Sequence, residues 1–386
     1  MKYFTNVKKQ YLMTFFYALI FAYVIERLFW QERGMNVQMV VYAEVIYGVT
    51  VTLCEIPSGV LADMFGRKKL LVADSFFGAG ELLIILFAQE FWHFAVAVIV
   101  AGIGGALSSG AGNAMTYDSL LAAGRENEFE KHRGRLNAIS FAGYVIAALS
   151  GSVLASVFSF EFNYILSIIS VGIVFVISLT LREPPRSQAE KGTTIIQYVR
   201  EGLTVFKFKP LVLRYCLTGA VLGACITYLH EFWQILMESV GVPVIFFGII
   251  SAVGLTLMVP GSLLAYRLRK KLGYKRLFNA ILVFSVLGYT AICFIRSPLV
   301  LIPMFVIYLV SGLTEPLVDG FLHKNTESSI RATTESFSSL ILRVTSILVG
   351  LPFGYISMRY SIFAGFLLPG IVCLVYLILF QKKGRS

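Results

Sequence analysis

Hydrophobic residues in this chain gather in long runs that short polar segments separate. Each run reaches about the 20 residues that a helix needs to cross the hydrocarbon of a bilayer. The runs are rich in glycine and aromatic residues and show no alternation of period two, which disfavours a β-barrel. The twelve runs are residues 11–30, 39–62, 70–88, 92–117, 136–158, 162–181, 211–236, 243–266, 277–295, 299–322, 336–358 and 361–380. The pattern therefore predicts an all-α membrane protein with twelve transmembrane helices.

The longest polar interruption lies between the sixth and seventh runs. It contains Thr194, followed three residues later by Gln197, a spacing that predicts a helix N-terminus. Apolar residues at helical spacing follow among basic ones, which predicts an amphipathic helix on the inner membrane surface. We expect residues 1–185 and 211–386 to form two six-helix halves, joined by a cytoplasmic linker at residues 186–210.

The two halves carry a faint internal repeat. The segment Phe29-Trp30-Gln31 recurs 203 residues later, and Asp118 recurs after 201 residues as Asp319. The three bases at 67–69 recur after 202 residues at 269–271. Coincidences at nearly one offset predict two pseudo-symmetric halves around a central site.

Composition supports the membrane interpretation. The chain is 57% hydrophobic and 14% charged, whereas soluble domains carry roughly 25% charged residues. The formal net charge of +11 would suggest nucleic acid as a partner of a soluble protein. If each run crosses the membrane once, every second polar segment lies on the same side of it. Most lysines and arginines fall in the segments on one side, which is the positive-inside asymmetry. We therefore expect no nucleic-acid partner, and both termini in the cytoplasm of a cell membrane that the chain crosses many times.

This topology makes a testable prediction. A cysteine introduced at position 190 or 384 should react with a membrane-impermeant maleimide only after the cells are permeabilised. The unaltered chain is the control, because its five cysteines all lie inside apolar runs. Labelling of either position from outside intact cells would contradict the twelve-helix arrangement.

Sequence motifs of enzymes are missing. The chain has no Gly-x₄-Gly-Lys-Ser/Thr loop, no Gly-x-Gly-x-x-Gly and no His-Glu-x-x-His. It also lacks Gly-x-Ser-x-Gly, and no two cysteines form a Cys-x-x-Cys pair. We expect no enzymatic activity, no cofactor and no metal site.

The segment from Gly59 to Leu71 joins the second and third runs with an unusual loop. Its sequence is Gly-Val-Leu-Ala-Asp-Met-Phe-Gly-Arg-Lys-Lys-Leu-Leu. This ordering resembles the signature loop of the major facilitator superfamily, Gly-x-Leu-Ala-Asp-x-x-Gly-Arg-Lys-x-x-Leu, and it matches every fixed position of that pattern. The resemblance implies a transporter with two six-helix bundles that works by alternating access.

The resemblance also implies what the loop does. The loop's acid and arginine would form a charge cluster with an acid at the inner end of the fourth helix and with the N-terminal end of the eleventh, near Ser336. That cluster would latch the two halves on the cytoplasmic side. The residues of this conformational latch would be Gly59, Asp63, Gly66, Arg67 and Asp118. The alternative is ordinary loop capping combined with positive-inside charge.

Charged residues inside the runs are candidates for chemistry, because such groups are expensive in a membrane and usually functional or paired. A carboxylate in a dry cavity has a raised pKa and can exchange a proton near neutral pH. The candidates for proton coupling or substrate contact are Glu26, Arg27, Glu55, Glu231, Glu315 and Arg343. The alternative is a set of fixed ion pairs, such as Glu315 with Arg343 or Glu26 with Arg27.

Two further acids receive less weight. Glu81 lies near the middle of the third run, and the third helix tends to be peripheral in the family that the loop resembles. Asp74 lies one turn inside the predicted surface, so we expect a structural role for it.

Aromatic residues share helical faces with the candidate acids. They are Tyr23, Trp30, Tyr228 and Trp233. A cavity lined by aromatics and a few acids would suit amphipathic or cationic compounds, although lipid-facing packing is the alternative for each aromatic.

We therefore predict a monomeric transporter that uses a proton or other ion gradient to export small amphipathic compounds. The alternatives are a symporter or exporter of sugars or metabolites, and a membrane receptor without transport. The arginine that drug–proton antiporters often carry in the fourth helix is Val98 here, so antiport rests on analogy.

Overall fold

The computed structural model describes residues 3–185, 210–326 and 331–382, and every regular element in these ranges is a helix. Within them, side chains are described for all residues except 56–60, 62, 63, 331–333, 335, 336, 381 and 382. The predicted linker helix lies outside the described residues.

Fourteen α-helices follow one another along the described chain. They are α1 (Phe4–Ala18), α2 (Glu26–Glu32), α3 (Val37–Phe65), α4 (Arg67–Leu86), α5 (Phe91–Ser108), α6 (Ala111–Leu121), α7 (Phe129–Val157), α8 (Phe160–Leu179), α9 (Pro210–Ser239), α10 (Phe247–Phe294), α11 (Leu301–Ser311), α12 (Thr314–Asn325), α13 (Arg331–Arg359) and α14 (Ile362–Lys382). Short 3₁₀ turns lie at Phe21–Val24, Glu126–Glu128, Val244–Phe246 and Pro298–Val300.

These helices confirm the twelve predicted spans. In the described part of the chain, nine helices are long and apolar enough to cross a bilayer, or ten if the bent pair α1 and α2 is one span. Helix α10 counts once in that total but contains two spans, because Gly273 adopts a φ of 74° in its middle. Helix α4 is the remaining span, and it carries Asp74 and Glu81 besides three bases at its N-terminus.

The first span is broken, which its uniform apolar run did not predict. Helix α1 ends at Ala18 and α2 begins at Glu26, and the segments Phe4–Val24 and Glu26–Glu32 meet at a bend of 47°. Backbone groups freed by such a break must find partners inside the protein. Two polar side chains of α8 supply them: Asn163 Nδ2 donates to the Phe21 carbonyl over 2.9 Å, and the Ala22 N–H donates to Ser167 Oγ over 3.1 Å.

The fourth and tenth spans are broken at equivalent points. Helices α5 and α11 end at Ser108 and Ser311, and α6 and α12 begin at Ala111 and Thr314, so each pair lies 203 residues apart. The repeated break supports the predicted internal repeat.

The equivalence proposed for the basic triplets is wrong. The bases at 67–69 follow the turn at Gly66, whereas the bases at 269–271 precede the corresponding turn at Gly273. The two triplets therefore lie on opposite sides of their turns.

The chain packs as two compact units. The N-terminal unit comprises the described residues within 1–35, 42–192 and 244–252, and the C-terminal unit comprises the other described residues. The predicted linker lies almost wholly outside the described residues, so the division into two six-helix domains at that linker stays a prediction.

Small residues bring the helices of the C-terminal unit close together. Ser262 Oγ of α10 donates to the Gly312 carbonyl over 2.8 Å. A Cβ on Gly312 would overlap the Met258 carbonyl, and a Cβ on Gly261 would overlap the Leu309 carbonyl. Such contacts are typical of helices that pack inside membranes, and here they hold α10 against the broken tenth span.

Candidate functional site

The signature loop is a one-residue turn between two long helices. Helix α3 ends at Phe65, Gly66 has a φ of 92°, and α4 begins at Arg67. A residue with a Cβ is strained in this conformation, whereas glycine adopts it readily. This is the physical reason for the glycine at this place in the pattern.

The turn places Arg67 against the C-terminal part of the fourth span, helix α6. Its guanidinium forms an ion pair with Asp118 of α6, and Nη1 donates to the Ala114 carbonyl over 3.4 Å. Asp118 is 7% exposed, so its charge needs this partner. The structure thus brings together Arg67 and Asp118. The side chains of Asp63 and Ser336 lie outside the described set, so their part in the latch stays a prediction.

A third segment joins the loop through Glu183, which the sequence reasoning missed. The backbone N–H groups of Arg67 and Lys68 donate to its two carboxylate oxygens over 2.9 and 2.8 Å. A carboxylate at a helix N-terminus satisfies free N–H groups and interacts favourably with the helix dipole. The available signal was an acid directly after the sixth run, between Arg182 and Pro184.

Arg27 is the centre of a second charged group, inside the N-terminal unit. It is 4% exposed and lies over the Trp30 ring at 4.5 Å. Its Nη2 is 2.6 Å from Glu44 Oε1, whereas its Nη1 is 3.9 Å from Glu26 Oε2. Arg27 therefore pairs more closely with Glu44 than with Glu26, its predicted partner. The sequence reasoning missed Glu44, although an acid inside the second run was the available signal.

Glu81 completes this group from α4. It lies close enough to Glu26, Glu44 and Arg27 to interact with their charges. Glu26, Arg27, Glu44 and Glu81 are called the carboxylate cluster below. Glu26 and Glu44 form ion pairs with Arg27, and Glu81 on α4 lies near enough to interact with all three charges.

Asp74 continues the polar face of α4. Asp74, Gly78 and Glu81 follow the spacing of one helical face. Tyr17 of α1 donates its hydroxyl to Asp74 Oδ1 over 3.3 Å, and a Cβ on Gly78 would lie 3.3 Å from that hydroxyl oxygen. Asp74 is 8% exposed. It is thus part of a polar track that leads toward Glu81.

Each unit contains a pocket of its own. The pocket of the N-terminal unit has a volume of about 390 Å³, and Asp74 and Tyr17 are part of its lining. The pocket of the C-terminal unit has a volume of about 490 Å³, and Glu315 is part of its lining. The pockets are equivalent in the repeat, because Ser108 lines the first and Ser311, 203 residues later, lines the second.

The remaining charged candidates are dispersed. Glu55 is exposed on α3, and Glu231 lies on α9 beside His230, whose ring packs 4.9 Å from that of Tyr308. The ion pairs among the described residues do not include one between Glu315 and Arg343.

Most candidate cavity aromatics are buried. Trp30 packs 4.9 Å from Phe94, and Tyr228 donates its hydroxyl to the Ser346 carbonyl over 2.6 Å. Trp233 is 7% exposed, whereas Tyr23 is 47% exposed. Packing therefore accounts for Trp30 and Tyr228, and substrate contact by these aromatics stays a prediction.

Comparison with known proteins gives sequence matches over most of the chain. The model of the Major Facilitator Superfamily matches residues 10–348. Tetracycline resistance protein, class H, of Pasteurella multocida is 23% identical over 308 residues, which are 77% of this chain and 74% of that protein. Multidrug resistance protein MdtG of Escherichia fergusonii is 24% identical over 347 residues, which are 87% of this chain and 83% of that protein.

A solved structure extends the comparison to the fold. The crystal structure of a mutant form of the nucleoside transporter NupG matches with a TM-score of 0.83 at 15% identity. The match covers 97% of this chain and 99% of that one. At this identity the likeness shows the shared architecture.

Proposed function

Because the chain belongs to the major facilitator superfamily of multi-pass membrane transporters, we propose that it couples inward proton movement to the export of small amphipathic compounds. It works as a monomer by alternating access, in the inner or plasma membrane, with both termini in the cytoplasm. The carboxylate cluster is the observation that carries the proposal.

Like charges in a low-dielectric site cannot all stay ionised without counter-charge. The cluster brings the carboxylates of Glu26, Glu44 and Glu81 near the guanidinium of Arg27. In the proposed mechanism, a proton bound by one of these carboxylates reduces the repulsion among them. Protonation of Glu44 would weaken its bond to Arg27 and favour the pair with Glu26, which changes the contact between α2 and α3. This is how proton binding can bias the conformation.

The polar track on α4 provides a route for the proton. It leads from Glu81 past the Tyr17 hydroxyl to Asp74, which lines the pocket of the N-terminal unit. Carboxyl and phenol groups can both donate and accept hydrogen bonds. In the proposed mechanism, a proton taken up at the cluster passes by way of Tyr17 and Asp74 to the pocket.

Export of amphipathic compounds is supported by the two relatives named for drug resistance, which match over more than three quarters of this chain. The signature loop contributes the cytoplasmic latch. In this proposal the ion pair of Arg67 with Asp118, together with the Glu183 carboxylate, holds the loop between α3 and α4 in place during the transport cycle.

One observation favours the alternative of a sugar or metabolite symporter. The lining of the N-terminal pocket includes several amide and hydroxyl groups, from Gln10, Asn113, Thr116, Asn137 and Ser140. Such groups suit a polyhydroxylated substrate. Uptake of a sugar together with protons into proteoliposomes, without export of any amphipathic compound, would establish this alternative.

Neutralising Glu81 tests the coupling. In proteoliposomes, Glu81→Gln should lower pH-gradient-driven transport of a compound found by thermal-shift screening by about tenfold or more, the effect of ~1.4 kcal/mol. Counterflow of the same compound should persist, since exchange needs no net proton movement. Glutamine keeps the size and hydrogen bonding of glutamate.

Further variants sharpen this test. Glu26→Gln and Glu44→Gln should behave like Glu81→Gln, whereas Glu238→Gln, at an exposed position near the end of α9, should transport normally. Full gradient-driven transport by all three cluster variants would refute the cluster as proton carrier, and Glu55→Gln and Glu231→Gln would then test the other candidates. Absence of both flux and counterflow for every compound would support a receptor instead.

A further inference from the structure

Three bases from separate parts of the chain meet at one end of the N-terminal unit. Lys9 belongs to α1, Lys68 to the first turn of α4, and Arg182 to the segment that follows α8. Lys9 lies close enough to Arg182 and Lys68 to interact with both of their charges. Bringing like charges together costs free energy unless an opposite charge compensates them. These three residues are called the basic cluster below.

Hydrogen bonds fix the segment that carries Arg182 against α1. Asn6, which is 1% exposed, donates its Nδ2 to the Arg182 carbonyl over 2.7 Å, and its Oδ1 accepts the Arg182 N–H over 3.1 Å. Lys9 Nζ donates to the Thr180 carbonyl over 2.6 Å. The fold therefore holds Lys9 and Arg182 beside each other.

Helix α4 joins the same segment and brings Lys68 with it. The backbone N–H of Lys68 donates to Glu183, the residue after Arg182, over 2.8 Å. Among the residues whose side chains are described, none forms an ion pair with Lys9, Lys68 or Arg182. Arg182 is exposed, and the two lysines are half-buried. Within the described chain, positive charge thus remains at the surface of this end of the unit.

The basic cluster lies at the predicted edge of the membrane. Lys9 and Lys68 precede the first and third apolar runs by two residues each, and Arg182 directly follows the sixth run. Lipid headgroups occupy the interfacial layer just outside the hydrocarbon. Three bases at this one depth are placed to contact a lipid phosphate.

Exposed apolar side chains continue from the basic cluster into the spans. Leu12, three residues after Lys9, is 52% exposed, and Leu179, three residues before Arg182, is 48% exposed. Phe76 of α4 is 60% exposed. A ligand with an anionic head and apolar chains can contact both the bases and these side chains, whereas inorganic phosphate can contact the bases alone.

We propose that the basic cluster binds the phosphate headgroup of an anionic phospholipid, whose acyl chains lie along the neighbouring spans. The two ammonium groups and the guanidinium donate charge-assisted hydrogen bonds to the phosphate oxygens. The lipid contacts α1, α4 and the segment after α8 together, and binding to the folded protein alone stabilises the N-terminal unit. This site does not depend on which compound the protein transports.

Lipids with the same chains and different headgroups test the charge requirement. Native mass spectrometry of the full-length protein in detergent measures binding of phosphatidylglycerol, which is anionic, and of phosphatidylcholine, whose choline compensates the phosphate. Phosphatidylglycerol should bind at least about tenfold more tightly, a difference of ~1.4 kcal/mol, and added salt should reduce this preference. Inorganic phosphate at the concentration of the lipid should not displace it.

Variants locate the site. Arg182→Gln should weaken binding of phosphatidylglycerol about fivefold, the effect of about 1 kcal/mol per base, whereas Arg182→Lys should retain most of it. The triple variant that also carries Lys9→Gln and Lys68→Gln should lose the preference for phosphatidylglycerol. The matched control, Lys270→Gln with Lys271→Gln, removes two exposed bases of α10 and should leave the affinity unchanged.

Thermal unfolding checks the fold of each variant. Arg182→Gln keeps the test informative if Lys9→Gln folds poorly, because the bonds that anchor Arg182 use its backbone. Equal affinity for the two lipids, or an unchanged preference in the triple variant, would overturn the proposal. Displacement of the lipid by inorganic phosphate would show a site for free phosphate instead. An equal loss of affinity in the α10 control would show general attraction to a positive surface and contradict a defined site.

Discussion

Replacement of Arg27 by methionine is expected to destabilise the N-terminal unit by about 3 kcal/mol, the lower part of the range for breaking a buried ion pair. Methionine keeps an unbranched apolar stem against Trp30 but leaves Glu44 without the guanidinium that lies 2.6 Å away. The Glu44 side chain is 26% exposed, so its partial hydration limits the loss of stability. Thermal unfolding of the purified protein in detergent measures the effect.

A double-mutant cycle separates the ion pair from packing. Arg27→Met combined with Glu44→Leu removes both charges and should recover most of the lost stability, while gradient-driven transport stays impaired because the cluster is gone. Arg33→Met is the matched control, since Arg33 pairs with the 41% exposed Glu161 and should cost at most about 1 kcal/mol. Equal losses for Arg27→Met and Arg33→Met would show that burial of the charge is not the cause.

Neutralising Asp118 should slow transport by more than about tenfold, equivalent to ~1.4 kcal/mol, while the protein still folds. Asparagine keeps the size of the side chain and can accept a hydrogen bond from Arg67, but it removes the charge that holds the guanidinium. The latch would then lose its electrostatic contribution. Initial transport rates in proteoliposomes with equal amounts of protein measure the effect, and thermal unfolding checks the fold.

Variants of the neighbouring acids show how much each of them contributes to the latch. Asp63→Asn should slow transport to a similar degree if the latch works as the resemblance implies. Glu183→Gln should have a smaller effect, about 0.5–1 kcal/mol, because its amide oxygen still accepts a hydrogen bond and only the favourable interaction with the helix dipole is lost. Glu130→Gln, at an exposed position on α7, is the control for charge alone. Normal transport by Asp118→Asn and Asp63→Asn would reduce the loop to a topology signal.

Local features of the sequence were sufficient to predict much of the fold. Hydropathy located the twelve spans because a lipid-exposed helix must be apolar over its whole length. The signature loop was recognisable because its turn requires glycine at position 66, where φ is 92°. The pairing of Arg67 with Asp118 followed from the resemblance that the loop carries.

Contacts between helices decided the rest, because hydropathy along the chain does not show which helical faces meet. The sequence placed Glu26 beside Arg27, but packing of α2 against α3 made Glu44 the closer partner. The break in the first span depends on Asn163 and Ser167, which lie more than 140 residues away along the chain.

The internal repeat was also predicted in part from the sequence and completed by the structure. Short sequence matches indicated offsets of 201 to 203 residues, yet only the paired breaks at Ser108 and Ser311 established the register. In that register Thr116 of the N-terminal pocket corresponds to Asp319 of the C-terminal pocket, so the two equivalent pockets differ in where their acids lie. Whether a side chain faces a pocket depends on how its helix is rotated. In the fourth and tenth spans, the break in the helix sets that rotation, and hydropathy along the chain does not show where the break lies.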